Sequence, residues 1–277
     1  MKKLLYITSV VMMLAMVSIM DSCSGKNNPN ANEADSALSR EDSLDLFYSQ
    51  HPMPKAADNL FCDFLFNFMT RRDVQFERTI FPLKEVTGTM AKHHEKKDWK
   101  MDGFFSNQYF YTIILDNEKQ IELKDDTTIT HAVVEKIYLE KKTIKQFVFD
   151  RIKGAWMLTQ IVNTPMEASP NNSFLDFYNG FVTDSVFQSK SLADNLMFSG
   201  PDPDDDLSNI EGVLLPEQFP SFAPPMPRGL IYNIIFGEEG KDSDTKIMLI
   251  EGISNGNESV MVFKRRGGKW KLYNLTM

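Results

Sequence analysis

The side chains whose type suits them to chemistry are few and scattered. Asp63 and Asp176 recur at matching places in the two halves of the 277-residue chain, and His131 stands beside the apolar run Ala132-Val133-Val134. A carboxylate or imidazole base that moves protons needs an acidic donor and a cavity that excludes water. Asp63 or His131 is the candidate base if one half holds such a pocket. The plainer reading of both aspartates is structural, because each falls early in a helical pattern, where a carboxylate meets the positive end of the helix dipole. For His131 the plainer reading is a hydrogen-bonded or surface histidine. Cys62, among Leu60, Phe61, Phe64 and Leu65, reads as a buried, inert thiol rather than a nucleophile. His93-His94 lie in a charged run without further ligands at metal-binding spacing. Asp202, Asp204 and Asp206 alternate as in a calcium loop. Leu207 stands where that loop needs glycine and Val213 where it needs glutamate, so a solvated acidic loop is expected. The chain holds no phosphate-binding glycine loop, no G-x-S-x-G, no H-E-x-x-H and no paired C-x-x-C. No catalytic residue, metal site or cofactor is assigned on these grounds.

The elements that must carry these residues occur twice. Asp63-Phe64…Phe68…Thr70…Gln75 reappears as Asp176-Phe177…Phe181…Thr183…Gln188, and VFDRIKGAWMLTQI (Val148 to Ile161) reappears as VFKRRGGKWKLYNL (Val262 to Leu275). The spacing of 113 to 114 residues is far longer than the ~20–50 residues of a solenoid unit, so each copy is expected to be a domain with its own core.

Leu60/Phe61, Phe64/Leu65 and Phe68/Met69 recur at three-to-four spacing, one apolar face of a helix. Asp73 is expected to cap a second short helix ending before Pro82. In the second copy Ser173-x-x-Asp176 resembles a capping box, and Phe174, Phe177/Tyr178 and Phe181/Val182 form the stripe. Strands follow: Tyr109–Leu115, Ile129–Leu139, Thr143–Ile152 and Ala155–Val162, then Leu230–Phe236, Lys246–Ile253, Ser259–Arg265 and Lys269–Leu275. Trp156 shares parity with Leu158, and Trp270 with Leu272, so each pair faces one way. The stretch 164–172, with two prolines and no periodicity, reads as the linker. Leu214 to Arg228, rich in proline with Phe219, Phe222 and Met226 interleaved, is expected to run extended over the surface, covering a sheet edge or cleft or docking a partner.

At the start, Lys2-Lys3 precede an apolar stretch from Leu4 to Met20 and then Asp21-Ser22-Cys23. That pattern is a secretory signal peptide, and a cysteine directly after it resembles the bacterial lipoprotein processing site; a plain secreted or membrane-anchored form is the alternative. Residues 23–50 are polar and read as a flexible tether. A net charge of −8 without a Lys/Arg block gives no footprint for nucleic acid.

A Phe-rich helix, a short helix and a run of antiparallel strands ending in G-x-W-x-L, made twice, resembles the cystatin-like fold of nuclear transport factor 2 and ketosteroid isomerase. FMTRRDVQFERTIFPL (Phe68 to Leu83) and FVTDSVFQ (Phe181 to Gln188) also resemble a group of Bacteroidetes cell-envelope lipoproteins of unknown function. The resemblance implies an α+β chain of two tandem domains, at 51–165 and 171–277, behind a signal peptide at 1–22. In each, helices would pack on a curved antiparallel sheet and enclose a pocket. Its lining would be Phe64, Phe68, Tyr109, Tyr111 and Trp156, then Phe177, Phe181, Tyr232 and Trp270, unless these aromatics simply fill the core. The expected function is a non-enzymatic binding lipoprotein, held to the membrane through Cys23, facing the periplasm rather than the cell exterior. It would receive a small ligand or an envelope protein; an isomerase- or hydrolase-like enzyme and a glycan binder using exposed tryptophans are the alternatives.

Overall fold

The computed structural model describes residues 47–277 apart from 49, 101, 106–107, 203–204, 238–239 and 254–255. The expected signal peptide with Cys23, most of the expected tether and Asp204 of the acidic run lie outside the described residues. After a 3-10 turn at Lys55–Asp58 come α1 (Phe61–Thr70) and α2 (Arg72–Glu77), then β1 (Thr79–Thr87), β2 (Met90–His94), β3 (Phe110–Leu115), β4 (His131–Tyr138), β5 (Thr143–Ile152) and β6 (Ala155–Pro165). The same order follows in α3 (Asn172–Thr183), α4 (Ser185–Lys190), β7 (Leu192–Asp202), β8 (Asp205–Leu214), β9 (Leu230–Phe236), β10 (Thr245–Gly252), β11 (Glu258–Arg266) and β12 (Lys269–Thr276), with one added helical turn, α5 (Phe219–Phe222). Among the described residues no helix is long and apolar enough to cross a membrane.

Among the described residues the strands form one sheet of twelve, in the order β2-β1-β6-β5-β4-β9-β3-β10-β11-β12-β7-β8. The expectation that each copy closes a sheet from its own strands is therefore corrected. β9, from the second half, pairs antiparallel with β4, and β3, from the first half, pairs antiparallel with β10. The two exchanged strands meet in parallel at Thr112 and Asn233. The physical reason lies in their composition. β3, β9 and β10 carry runs of successive apolar residues, and these strands together with β4 are buried along most of their length. Such strands need cover on both faces, and the centre of a wide sheet supplies it.

Side-chain parity sorts that cover. Ile247 and Leu249 of β10 join the core around α1, whereas Met248 and Ile250 join the core around α3. The two long helices thus lie on opposite faces. The repeat is plain in their anchors: Phe149 meets Phe61, Phe64 and Phe68, and Phe263 meets Phe174, Phe177 and Phe181. Trp156 and Trp270 occupy matching places on β6 and β12 and are both buried, which removes the glycan reading built on exposed tryptophans.

Polar groups at the seam are paired. The fully buried Asn233 amide donates to Glu135 at 2.9 Å, and its oxygen accepts from the Ile114 N–H at 3.0 Å. Lys246, 1% exposed, donates to Asp116 at 2.6 Å.

Local expectations were also revised. Asp73 binds Arg71 at 2.6 Å and does not cap α2. Ser173 accepts from the Trp270 indole, and Asp176 pairs with Lys142, so neither forms a capping box. The proline-rich stretch is not a surface strip throughout. Phe219 is fully buried against Phe181, Phe222 packs on Phe198, and the Tyr178 hydroxyl donates to the Pro227 carbonyl.

Candidate functional site

The helical spacing that buries Phe61, Phe64, Leu65 and Phe68 turns Cys62, Asp63, Phe66 and Asn67 away from the centre of the core. These residues border a cleft of about 490 Å³, within the range usual for small-molecule sites. Its other walls are Pro54, Ala56 and Ala57 beside α1, Phe105, Tyr111 of β3, Ile234 of β9, and Glu251 to Ile253 at the end of β10. The strand exchange makes this site. Tyr111 and Glu251 come from different halves of the chain, yet β3 and β10 place them as direct partners.

Polar side chains follow one another along the cleft wall. The Cys62 sulfur lies 3.5 Å from the Tyr111 hydroxyl, and Glu251 is the cross-strand neighbour of Tyr111. Burial pushes the Cys62 thiol up to about 11, only partly offset by the bond to Tyr111. Burial, with Cys62 and Glu251 alongside, raises the Tyr111 phenol well above its ordinary value. Both groups are neutral near pH 7. The thiol and the phenol can therefore share one hydrogen bond, with either as donor. Behind Glu251, Lys124 lies 3.4 Å away and reaches Glu258 at 2.5 Å. Burial pulls Lys124 down, but hydrogen bonds and charge from Glu258 and Glu251 outweigh it and keep the ammonium above the ordinary lysine range. A neutral thiol is a poor nucleophile, so the arrangement can hold a ligand by hydrogen bonds and apolar contact.

The residues expected to line pockets fall elsewhere, with one exception. Tyr111 borders the cleft. Phe64, Phe68, Trp156, Phe181 and Trp270 are core, Tyr232 is buried against Phe105, and Phe177 packs on the α3 core. Tyr109 is 84% exposed and borders a separate groove of about 860 Å³ on the α3 face, beside Phe222 and Pro224. Of the candidate bases, Asp63 sits exposed at the cleft rim, and His131, bound to Asp150 at 2.8 Å, lies outside it. His94 binds Glu85 at 2.6 Å. Among the described residues no group of three or more His, Cys, Asp or Glu side chains could hold a metal ion. Glu251 and Lys124 escaped sequence reasoning because Tyr111, Lys124 and Glu251 are brought together only by the sheet.

A helix laid on a large sheet, with a hollow kept open between them, is the arrangement of the NTF2-like class. The chain is similar to the crystal structure of an NTF2-like protein from Bacteroides fragilis NCTC 9343, with a TM-score of 0.75 and 38% identity, over 81% of this chain and 98% of that one. A family described as a domain of unknown function, DUF4348, matches residues 40–277. The chain belongs to that family. No curated protein matches it.

Proposed function

We propose that the chain is a non-enzymatic binding module of the cell envelope: two NTF2-like units with exchanged strands, anchored to a membrane through Cys23 and facing the periplasm. The observation that carries the binding role is the contrast between the two faces. On the α1 side a cleft of about 490 Å³ stays open, with Cys62, Tyr111 and Glu251 converging on it. On the α3 side the stretch from Phe219 to Pro227 packs into the corresponding core. The groove that remains on that face, beside Tyr109 and Phe222, has no cysteine among its described lining residues and no counterpart of the Cys62–Tyr111 pair, so the α1 cleft is the more specialised of the two. The first 23 residues motivate the anchor.

Proton-transfer chemistry is the second reading, favoured by Tyr111 and Glu251 standing as cross-strand neighbours on the cleft wall. Lys124, placed to neutralise Glu251, counts against a free base there.

One experiment tests the proposal. Protein extracted from envelopes is examined by native mass spectrometry for a co-purifying or added small ligand, alongside a Cys23→Ser variant. The variant should leave the membrane fraction yet keep saturable binding. Membrane association unchanged by the substitution contradicts the anchor, absence of any saturable ligand contradicts the module, and chemical conversion of the ligand favours the enzyme.

A further inference from the structure

The charges that border the cleft narrow what can enter it. Cys62 and Tyr111 hydrogen-bond each other at 3.5 Å, and the Asn67 amide donates to the Asp63 carbonyl at 2.9 Å. The charged side chains that border it among the described residues are both carboxylates, Glu251 within the wall and Asp63 at the rim. Among the described residues no lysine or arginine borders the cleft. Lys124, which pairs with Glu251, is drawn more closely to Glu258 than to Glu251. An anionic guest would face two carboxylates. A neutral one would find acceptors with no charge to satisfy. The remaining walls, Pro54, Ala57, Leu65, Phe66, Met69 and Ile253, suit an apolar body.

Resting on the reading of this cleft as a binding site, we infer that its ligand is a small molecule with an apolar body and a primary ammonium end. The ammonium seats against Glu251, and Lys124 then pairs with Glu258 alone. A charge-assisted hydrogen bond in a partly buried site is roughly twice as strong as a neutral one, so the charged end decides selectivity.

The test titrates the full chain at pH 7 with 2-phenylethylamine and with 2-phenylethanol, two probes of the same shape that differ in charge. The amine should bind at least about tenfold more tightly. Glu251→Gln should reduce that preference to about twofold or less, and Lys124→Met, which removes the competing cation, should strengthen amine binding while leaving the alcohol unchanged. If Glu251→Gln fails to fold, the Lys124→Met result decides. Equal affinity for the two probes overturns the ammonium inference and leaves the binding module standing. Binding of neither probe overturns both. A preference that survives Glu251→Gln, or amine binding weakened by Lys124→Met, overturns the seat at Glu251.

Discussion

Replacing Asp116 with alanine should destabilise the fold by about 3–5 kcal/mol, the usual cost of stranding one member of a buried ion pair. Asp116 directly follows β3 and holds three donors: Lys246 at 2.6 Å, Ser243 at 2.6 Å and the Lys241 N–H at 2.7 Å. Without it the Lys246 ammonium, almost wholly shielded from water, keeps only the Lys241 carbonyl. The pair lies between strands from different halves, so its loss should be felt across the whole sheet. Asp116→Ala combined with Lys246→Met should recover most of the loss, because a neutral apolar pair leaves no buried charge. Denaturant titrations of the single and double variants check both values. The pH dependence follows from the same contacts. Burial pushes the Asp116 carboxyl up, but the hydrogen bonds from Lys246, Ser243 and Lys241 outweigh it and hold it below the ordinary carboxylate range. A group whose folded value is depressed stabilises the fold above its unfolded value. That contribution should therefore be constant above about pH 4 and fall away as the pH drops further. The Asp116→Ala variant should lack this part of the acid sensitivity.

Phe149→Ala should cost a similar amount, about 3–5 kcal/mol, by opening a cavity under α1. The Phe149 ring is fully buried, and its centroid lies 5.1–5.8 Å from those of Phe61, Phe64 and Phe68. Its ring meets all three anchors of the helix that walls the cleft. Loosening α1 should therefore weaken ligand binding as well as stability, whereas Phe263→Ala, its counterpart under α3, should cost stability and spare the cleft. Thermal unfolding with and without ligand separates the two effects.

The helices were legible because three-to-four spacing of phenylalanines has one interpretation, and β5, β6, β11 and β12 because their residues recur around a shared tryptophan. The edges were not. β1 carries Pro82 and β7 carries Pro201, residues tolerated at sheet margins but read locally as breaks. β2 is exposed along most of its length and has no apolar face to betray it. The exchange of β3 and β9 was hidden for a different reason. Tyr111-Thr-Ile-Ile and Tyr232-Asn-Ile-Ile are near-duplicates, so either strand suits either neighbour, and periodicity names a strand without naming its partner. What was visible, unused, was that both runs are apolar on successive residues, the mark of burial on two faces. The cleft followed the exchange out of sight. Nothing in the sequence near Glu251 points to Tyr111 or to Lys124.

The central physical claim is that strand 230–236 lies against 131–138 and carries the second half of the chain into the α1 face. Paired cysteines test it, in a background with Cys23 and Cys62 replaced. Val133 and Ile235 are direct partners across β4 and β9, and Ile247 and Leu115 across β10 and β3. Direct antiparallel partners lie about 4.5–5.5 Å apart at Cα, within disulfide reach. Val133 and Ile247 hold matching places, each beside its own valine, Val148 and Val262, so unexchanged strands would set Leu115 beside Val133 instead. Under mild oxidation the 133–235 pair should close an intramolecular disulfide and the 133–115 pair should stay reduced; the opposite pattern would contradict the account.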